Sequence, residues 1–501
     1  MQAAASRAGI SEAMTREAVA PGVLVPRAAR QPLSLDLAEY GLGRKILKSR
    51  YFQPVLILVN MAVFVVLITA GLYGNPIGNQ NAAIILIWVF WFFLLIAVLV
   101  PVGGRAWCLM CPLPAPGEWL SRLAITRRGE RTFPGLRRKW PASLDNIWLQ
   151  NFGFLLVATL SPVILTRPWA TAYLMIGMIA LALVLPLVFI KQSKVGRLFC
   201  KYVCPVGGFI GLYSLMGAVE VKARDLGVCK TCKHKNCIKG NEDGWGCPWF
   251  EYPGTMQRNL YCGLCAECVK TCANDNIAFR LRPFGADLLK QRKLDEAYKA
   301  FIMLGSGLLF LAVFFGWWGA LKDIADPLHG VFLAGPVRWG NLLRYVSLLW
   351  GVTLLGIPGI HLATCWLVRR AAGPQAAPLR KIFVDFAYVL VPLGLMAWLA
   401  FVLGMIMVNG SYVVSVISDP MGWGWDLFGT ATYHWRPYLP EVVPLVQLGL
   451  LLVGVVWATA VAHRLAREHA GGRQRALRAA LPMAGSLTAY AAAFVFLFVM
   501  A

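Results

Sequence analysis

Charged residues are scarce in this chain of 501 residues. They make up 14% of it against 58% hydrophobic residues, and the mean hydropathy is +0.61. Soluble domains carry about 25% charged residues, so the composition excludes a disordered chain and an ordinary soluble enzyme. It is the composition of a protein that crosses a membrane several times.

Acidic residues are few as well. The chain has 24 Asp and Glu against 48 Lys and Arg, which gives a formal net charge of +24. In a soluble protein this excess would suggest nucleic-acid binding. In a membrane protein the basic residues collect in cytoplasmic loops, so we expect no nucleic-acid partner.

Three short signals are missing from the sequence. There is no GxxxxGK phosphate loop, which argues against an ATP-driven pump. There is no CxxCH, so no c-type haem is attached. No secretory signal is recognisable, and we expect the first apolar segment to be a membrane anchor itself.

Long apolar runs are abundant instead. Nine have about the 20 residues that a helix needs to cross the hydrocarbon: 53–73, 82–101, 147–165, 170–190, 300–320, 342–366, 383–408, 441–463 and 480–500. With the N-terminus in the cytoplasm, only five of the 48 Lys and Arg lie in segments on the outer side of the membrane, as the positive-inside rule requires. All cysteine clusters then lie on the inner side.

The polar, basic and cysteine-rich stretch between the fourth and fifth runs is the one able to form a soluble domain. We therefore predict four parts: a cytoplasmic tail (1–50), a four-helix membrane domain (51–220), a cytoplasmic domain (221–290) and a five-helix C-terminal membrane domain (291–501). The predicted fold class is a polytopic α-helical membrane protein with an inserted ferredoxin-like α+β domain.

Twelve of the 13 cysteines lie in four short clusters. In a reducing compartment such spacing points to metal rather than to disulfides. The run from Cys262 to Cys272, CxxCxxCxxxC, has the spacing of bacterial two-cluster ferredoxins, in which the fourth cysteine binds the other cluster. A second run, from Cys229 to Cys247, precedes it.

The two runs together supply eight thiolates, enough for two [4Fe–4S] clusters. We assign the first cluster to Cys229, Cys232, Cys237 and Cys272, and the second to Cys262, Cys265, Cys268 and Cys247. Zinc is the alternative metal for CxxC pairs. A zinc site needs four ligands, however, and has no use for a CxxCxxC triplet.

An internal repeat carries the remaining paired cysteines. The sequence GRAWCLMCP at 104–112 is similar to GRLFCKYVCP at 196–205, and each follows an even-numbered predicted helix. Helix hairpins related by an axis along the membrane normal would bring four thiols together, those of Cys108, Cys111, Cys200 and Cys204. Four thiolates suit zinc, Cu(I) or an iron–sulfur centre. Alternatively, the four cysteines bind nothing and only lie at the ends of helices, which Pro112 and Pro205 stop in either case.

The two GRxxC motifs followed by a double [4Fe–4S] run resemble the NapH/NosR family of membrane polyferredoxins, related to the oxidase-assembly protein CcoG, over residues 50–290. The resemblance implies a cytoplasmic double-cluster domain in a bacterial inner membrane. It further implies electron transfer between the quinol pool and a periplasmic reductase of anaerobic respiration, such as denitrification. The five C-terminal helices lie outside the resemblance.

One-electron transfer is the function that these features favour, by a carrier or oxidoreductase subunit rather than a stand-alone enzyme. Expected partners are membrane lipid, a quinone or redox subunit, and a periplasmic reductase or its maturation machinery. The alternative is an assembly factor that supplies electrons for a copper or haem enzyme. His361 and His463 could clamp a haem b, a role we do not favour, and Cys365 is expected to be a buried small hydrophobe.

Overall fold

The computed structural model describes residues 35–126, 133, 135–192, 194–314 and 338–499. From Asp36 onward the chain belongs to one compact unit. The tail 1–34, the last residues of the fifth apolar run and most of the loop 321–341 lie outside the described residues.

Helices dominate the described structure. Within it, seven are long and apolar enough to cross a membrane: Phe52–Tyr73, Ala82–Gly103, Pro168–Val188, Trp339–Ala372, Leu379–Asn409, Val443–His469 and Arg473–Val499. Each coincides with a predicted run. These helices indicate a membrane protein, because their length matches the hydrocarbon thickness.

The other two predicted runs are helical too, with different bounds. Trp148–Leu160 is shorter than predicted, because Pro162 follows its cap and cannot continue the helix. Leu294–Phe314 begins with a charged first turn that contains Asp295 and Glu296. It therefore starts before the apolar run 300–320, whose residues 315–320 lie outside the described chain.

Leu379–Asn409 is the central helix of the described assembly. In its most apolar stretch 78% of the residues are buried inside the protein. The Trp398 ring lies 5.4 Å from Phe209 and 5.7 Å from Phe92, and its Nε1 donates to the Met303 carbonyl at 3.1 Å. The C-terminal helices therefore share one apolar core with the N-terminal ones.

Shorter elements surround the repeated cysteine motifs. The first repeat forms helices Ala106–Met110 and Ala115–Arg122, and the second forms a π-helical turn, Phe199–Val203, followed by helix Pro205–Tyr213. Two-residue strands Arg138–Lys139 and Phe189–Ile190 pair in parallel. Helix Ser411–Ser418 follows the central helix.

An antiparallel pair of strands frames the ferredoxin region. Val219–Ala223 pairs with Ile277–Leu281, with Val219 opposite Leu281. Three short helices lie between the strands: Leu226–Thr231, Asn236–Lys239 and Glu267–Thr271. The pairing joins the two ends of the segment that carries the eight predicted cluster ligands.

The segment before the first long helix also packs on this sheet, which the sequence did not predict. Asp36 accepts a hydrogen bond from Arg224 at 2.8 Å. Helix Gly41–Lys48 is held by an ion pair between Lys48 and Asp275 at 2.9 Å. Because these contacts are polar, hydropathy carried no sign of them.

Sidedness is open to a direct test. We expect reporter fusions after Arg128 and within 230–290 to read cytoplasmic, and fusions within 415–435 to read periplasmic, because nearly all Lys and Arg lie on the predicted inner side. Alkaline phosphatase and a fluorescent protein at the same junctions control for expression. A periplasmic reading within 230–290 would contradict the predicted orientation.

Candidate metal centres

Four cysteines of the ferredoxin region form a first thiol group. Cys229 and Cys237 lie on two consecutive short helices. The Cys237 thiol interacts electrostatically with Cys272, Cys229 and Cys232. Folding thus brings together the four residues that spacing assigns to one cluster.

A second thiol group lies beside the first. Cys268 interacts electrostatically with Cys247, Cys262 and Cys265, the set that spacing assigns to the other cluster. Cys237 of the first group also interacts with Cys247. The two groups are therefore neighbours, as in two-cluster ferredoxins.

The surroundings of these thiols fit thiolate ligands. Asn276 donates two hydrogen bonds to sulfur, from its backbone N–H to Cys272 Sγ and from its side chain to Cys229 Sγ, each at 3.3 Å. Such donors stabilise the charged form of a ligand. Burial raises the pKa of Cys237 and of Cys265 to about 12, so at neutral pH a bound metal must displace the proton.

The spacing of the thiols bears on the metal they suit. Among the described residues, no three Cys, His, Asp or Glu side chains are close enough to hold a single ion. Zinc with bonds of about 2.3 Å to sulfur draws its ligands to within about 4 Å of one another. A four-iron cubane binds one thiolate at each iron and holds its ligands farther apart. The choice between the two metals depends on the CxxCxxC triplet of Cys262, Cys265 and Cys268, which suits a cubane.

The repeated motifs supply a third thiol group. Cys200 interacts electrostatically with Cys204, Cys108 and Cys111. All four line one cavity of about 450 Å³, whose other walls are mainly apolar and aromatic. The predicted convergence of the two motifs is therefore present in the fold.

Glycine opens each motif for a steric reason. Gly104 has φ +60°, and a Cβ there would lie 2.8 Å from the Cβ of Ser214. A Cβ on Gly196 would lie 2.4 Å from the Pro248 carbonyl oxygen. The second contact seats the motif directly on the turn that follows Cys247 of the second thiol group.

Arg197 of the second motif connects three parts of the molecule. Its guanidinium donates to the Cys108 carbonyl at 2.6 Å and to Glu118 at 3.1 Å. Its backbone N–H donates to the Pro248 carbonyl at 2.8 Å, and its charge interacts with Cys200 and Cys265. Arg197 therefore holds the third thiol group against the second.

One of the two histidines considered for haem has other partners. His361 Nε2 lies 3.0 Å from the Phe383 carbonyl and 3.4 Å from Cys365 Sγ, which occupies the nitrogen that a haem iron would bind. Cys365 is fully buried, as predicted. His469, which the sequence did not single out, pairs with Asp385 at 3.0 Å.

Sequence reasoning also missed three buried charges. Arg105 is 1% exposed, and Lys299 and Glu296 are 0% exposed. The arginine shared by both motifs was a usable signal for Arg105. Lys299 and Glu296 stand at the edge of an apolar run, where a charged residue ordinarily marks the membrane interface.

Comparison with known proteins bears on the repeat. A family described as "4Fe-4S binding domain" matches residues 84–140 and 172–220. These two stretches of the chain are similar to that family. The first match contains Cys108 and Cys111, and the second contains Cys200 and Cys204. The eight cysteines of the ferredoxin region lie outside both, so their assignment depends on spacing and geometry.

One curated relative is an uncharacterised protein of Methanocaldococcus jannaschii. It is 24% identical over 252 residues, which is 47% of this chain and 94% of that protein. No solved structure matches the chain. Together with the family match, the findings support an iron–sulfur protein of the ferredoxin type with membrane helices.

Proposed function

We propose that this protein is a membrane-bound electron carrier that exchanges single electrons between its ferredoxin region and a quinone, and through it serves a periplasmic respiratory reductase. A bound [4Fe–4S] cluster supplies one-electron transfer. The observation that carries the proposal is that the three thiol groups are neighbours in series. Cys237 interacts with Cys247, and Arg197 interacts with both Cys265 and Cys200.

The cavity beside the third thiol group supports a quinone as the membrane partner. Its lining extends from the thiols to Thr171 and Ile417. Thr171 lies in the first turn of Pro168–Val188, the helix whose other end leads to the second motif. The cavity therefore extends from the thiols to the first turns of this helix, which suits an elongated apolar molecule.

One polar group in this cavity has no partner of its own. Trp91 Nε1 is buried and has no hydrogen-bond acceptor among the described residues. The Trp91 ring packs edge-on against Trp107, 5.1 Å away, next to Cys108. Its N–H is free to donate to a quinone carbonyl, and burial without water favours such a bond.

Metal analysis and EPR of the anaerobically purified full chain test the cluster assignment. We expect Cys272→Ser to remove the signal of one ferredoxin cluster and Cys268→Ser that of the other, because each variant removes a ligand from a different thiol group. Cys365→Ser is the matched control and should remove neither. Zinc in place of iron in the wild-type protein would contradict the assignment.

The same preparation tests the transfer itself. After reduction with dithionite, a soluble quinone should abolish the reduced-cluster signals, because the quinone takes up the electrons that the clusters release. Signals that persist in its presence would contradict the proposed function and leave the cluster assignment intact.

The second candidate is an assembly factor that donates electrons during maturation of a copper or haem enzyme. The set of four soft sulfur ligands near the membrane, the kind that Cu(I) prefers, favours it. A carrier is needed throughout respiratory turnover, whereas an assembly factor is needed only until its client is mature. Depletion after client maturation separates the two.

A further inference from the structure

The three thiol groups differ in how far they reach the protein surface. Three of the four cysteines in the first group are partly exposed, namely Cys229, Cys232 and Cys272. The second group has one partly exposed cysteine, Cys262, and the four cysteines of the third group are all buried. A soluble redox partner therefore comes closest to the thiols at the first group.

The surface around the first thiol group is strongly basic. Residues 226–241 contain no Asp or Glu. Four lysines of this segment are exposed, each within two positions of a cysteine of the group: Lys230, Lys233, Lys235 and Lys239. These four residues are called the lysine patch below. Together they give the exposed face of the first group a charge of one sign.

The lysine patch lacks the carboxylate partners that other cations of the ferredoxin region have. Lys222 pairs with Glu220 at 3.0 Å. Lys270 pairs with Glu267 at 2.7 Å. Within the described chain, no lysine of the patch forms an ion pair with Asp or Glu. The positive charge of the patch is therefore available to an acidic partner.

Local structure does not account for these charges. Lys233 and Lys235 lie in the loop that leads into helix Asn236–Lys239. The N-terminal end of a helix favours negative charge, so two cations there do not stabilise it. Lys235 also has φ +48°, in the left-handed region where glycine or asparagine costs less. Cations in these positions indicate a role outside the local fold.

One member of the patch is held close to the thiols by an aromatic ring. Lys235 Nζ lies 5.6 Å from the centre of the Tyr252 ring. The Tyr252 hydroxyl donates to the Cys229 carbonyl at 2.8 Å. A Cβ on Gly254 would lie 2.8 Å from the Cβ of Cys229, so the segment that carries Tyr252 packs tightly on the first group. The patch and the thiols therefore form one surface.

We infer that the lysine patch is the docking surface for an acidic, soluble protein that carries single electrons. The inference rests on the proposed function and names the partner of its ferredoxin region. The carrier loses one electron and the centre held by the first thiol group gains it, and no bond forms or breaks. Complementary charge speeds the encounter and orients the carrier toward the thiols.

An anionic membrane surface is the other partner that a basic segment can meet. Segments that lie on a bilayer combine basic residues with large apolar side chains that insert into it. In 226–241, all of which the structure describes, Leu226 is the one large apolar side chain that is mostly exposed, at 53%. The patch also adjoins thiols, to which a lipid headgroup offers no electron. These observations favour a redox protein.

Electron transfer from a reduced plant-type ferredoxin, an acidic [2Fe–2S] carrier, tests the inference on the full chain in phosphatidylcholine nanodiscs. We expect the second-order rate to fall about tenfold or more between about 0.05 M and about 0.5 M salt, because salt screens the attraction between the two proteins. A rate for the wild type that does not change with salt would overturn the inference.

A paired charge reversal tests the patch itself. Lys230→Glu with Lys233→Glu should lower the rate about tenfold at the lower salt concentration. The matched control is Arg380→Glu with Lys381→Glu, which changes the net charge equally at two exposed positions in the first turn of Leu379–Ala387. The control should keep nearly the wild-type rate. An equal loss in both variants would overturn the inference.

Reduced methyl viologen, a small cation, separates loss of docking from loss of the redox centre. It should reduce the patch variant at least as fast as the wild type, with unchanged EPR signals. Patch-dependent binding to phosphatidylglycerol vesicles, with an unchanged rate from the plant-type ferredoxin, would overturn the inference. Quinone reduction after dithionite is measured in parallel. If it persists while the plant-type ferredoxin transfers nothing, the inference fails and the proposed function stands.

Discussion

Replacing any one of the four motif cysteines by Ser is expected to abolish electron transfer from the ferredoxin region to a quinone, for Cys108, Cys111, Cys200 and Cys204 alike. The reason is that the four thiols form one group in the fold. Residues that act as a unit are strongly non-additive, so a second replacement should add little. Both ferredoxin clusters should stay visible by EPR, because their ligands are elsewhere.

The measurement is the rate of quinone reduction normalised to the ferredoxin cluster content. Cys365→Ser is the matched control, since it removes a buried thiol that has no other cysteine beside it. A packing role for the motifs predicts lower protein levels with normal transfer per molecule. Near-normal normalised rates in all four variants would refute the shared site, and the motifs would then only end helices.

Glu296→Ala is expected to destabilise the folded protein by about 3–5 kcal/mol. Glu296 accepts two hydrogen bonds from Arg258, at 2.7 and 2.5 Å, and one from Tyr388 at 2.5 Å. The side chains of Arg258 and Glu296 are only 4% and 0% exposed. Removing the carboxylate leaves a buried guanidinium without a counter-charge, which accounts for most of the loss.

Denaturant titration in detergent measures this change in the free energy of unfolding. The double variant Arg258→Met with Glu296→Leu should recover most of the loss, because it removes both buried charges. The comparison variant is Asp275→Ala. The Asp275 side chain is 40% exposed and pairs with Lys48, so its loss should cost about 1 kcal/mol or less. A similar small loss in Glu296→Ala would contradict the expectation.

The Arg258–Glu296–Tyr388 contact joins three parts that lie apart along the chain. Arg258 belongs to the ferredoxin region, Glu296 to the first turn of Leu294–Phe314, and Tyr388 to the central helix segment. Its loss should therefore loosen the attachment of the ferredoxin region to the helices. The Arg258–Glu296–Tyr388 contact thus joins distant parts of the chain by polar groups, as the contact between Trp398 and Phe209 does by apolar groups.

Local sequence patterns were sufficient for several features. Every predicted apolar run contains a helix in its described part, because hydrophobic length alone identifies a membrane helix. The resemblance between the segments around Cys108 and Cys200 predicted that they would meet, and they do. The ligand sets of the ferredoxin clusters remain predictions, supported by the grouping of their thiols.

Long-range polar contacts were beyond the reach of such patterns. Nothing near Asp36 predicts that it accepts a hydrogen bond from Arg224. Lys299 could be read as an interfacial charge until folding put it beside Cys204. A single charged residue has no periodicity, and its partner can lie anywhere in the chain, so only the tertiary structure identifies it.

The sequence by itself determined the membrane class, the apolar helices and the cysteine spacing, since helix length and the reach of a short loop are local properties. The tertiary structure decided which thiols lie together and that Arg197 links two of these groups. It also decided that Arg105 stands among thiols, with no carboxylate paired to it in the described part of the chain. The physical reason is that buried charge is tolerated only where distant residues compensate it, and that compensation exists only in the folded chain.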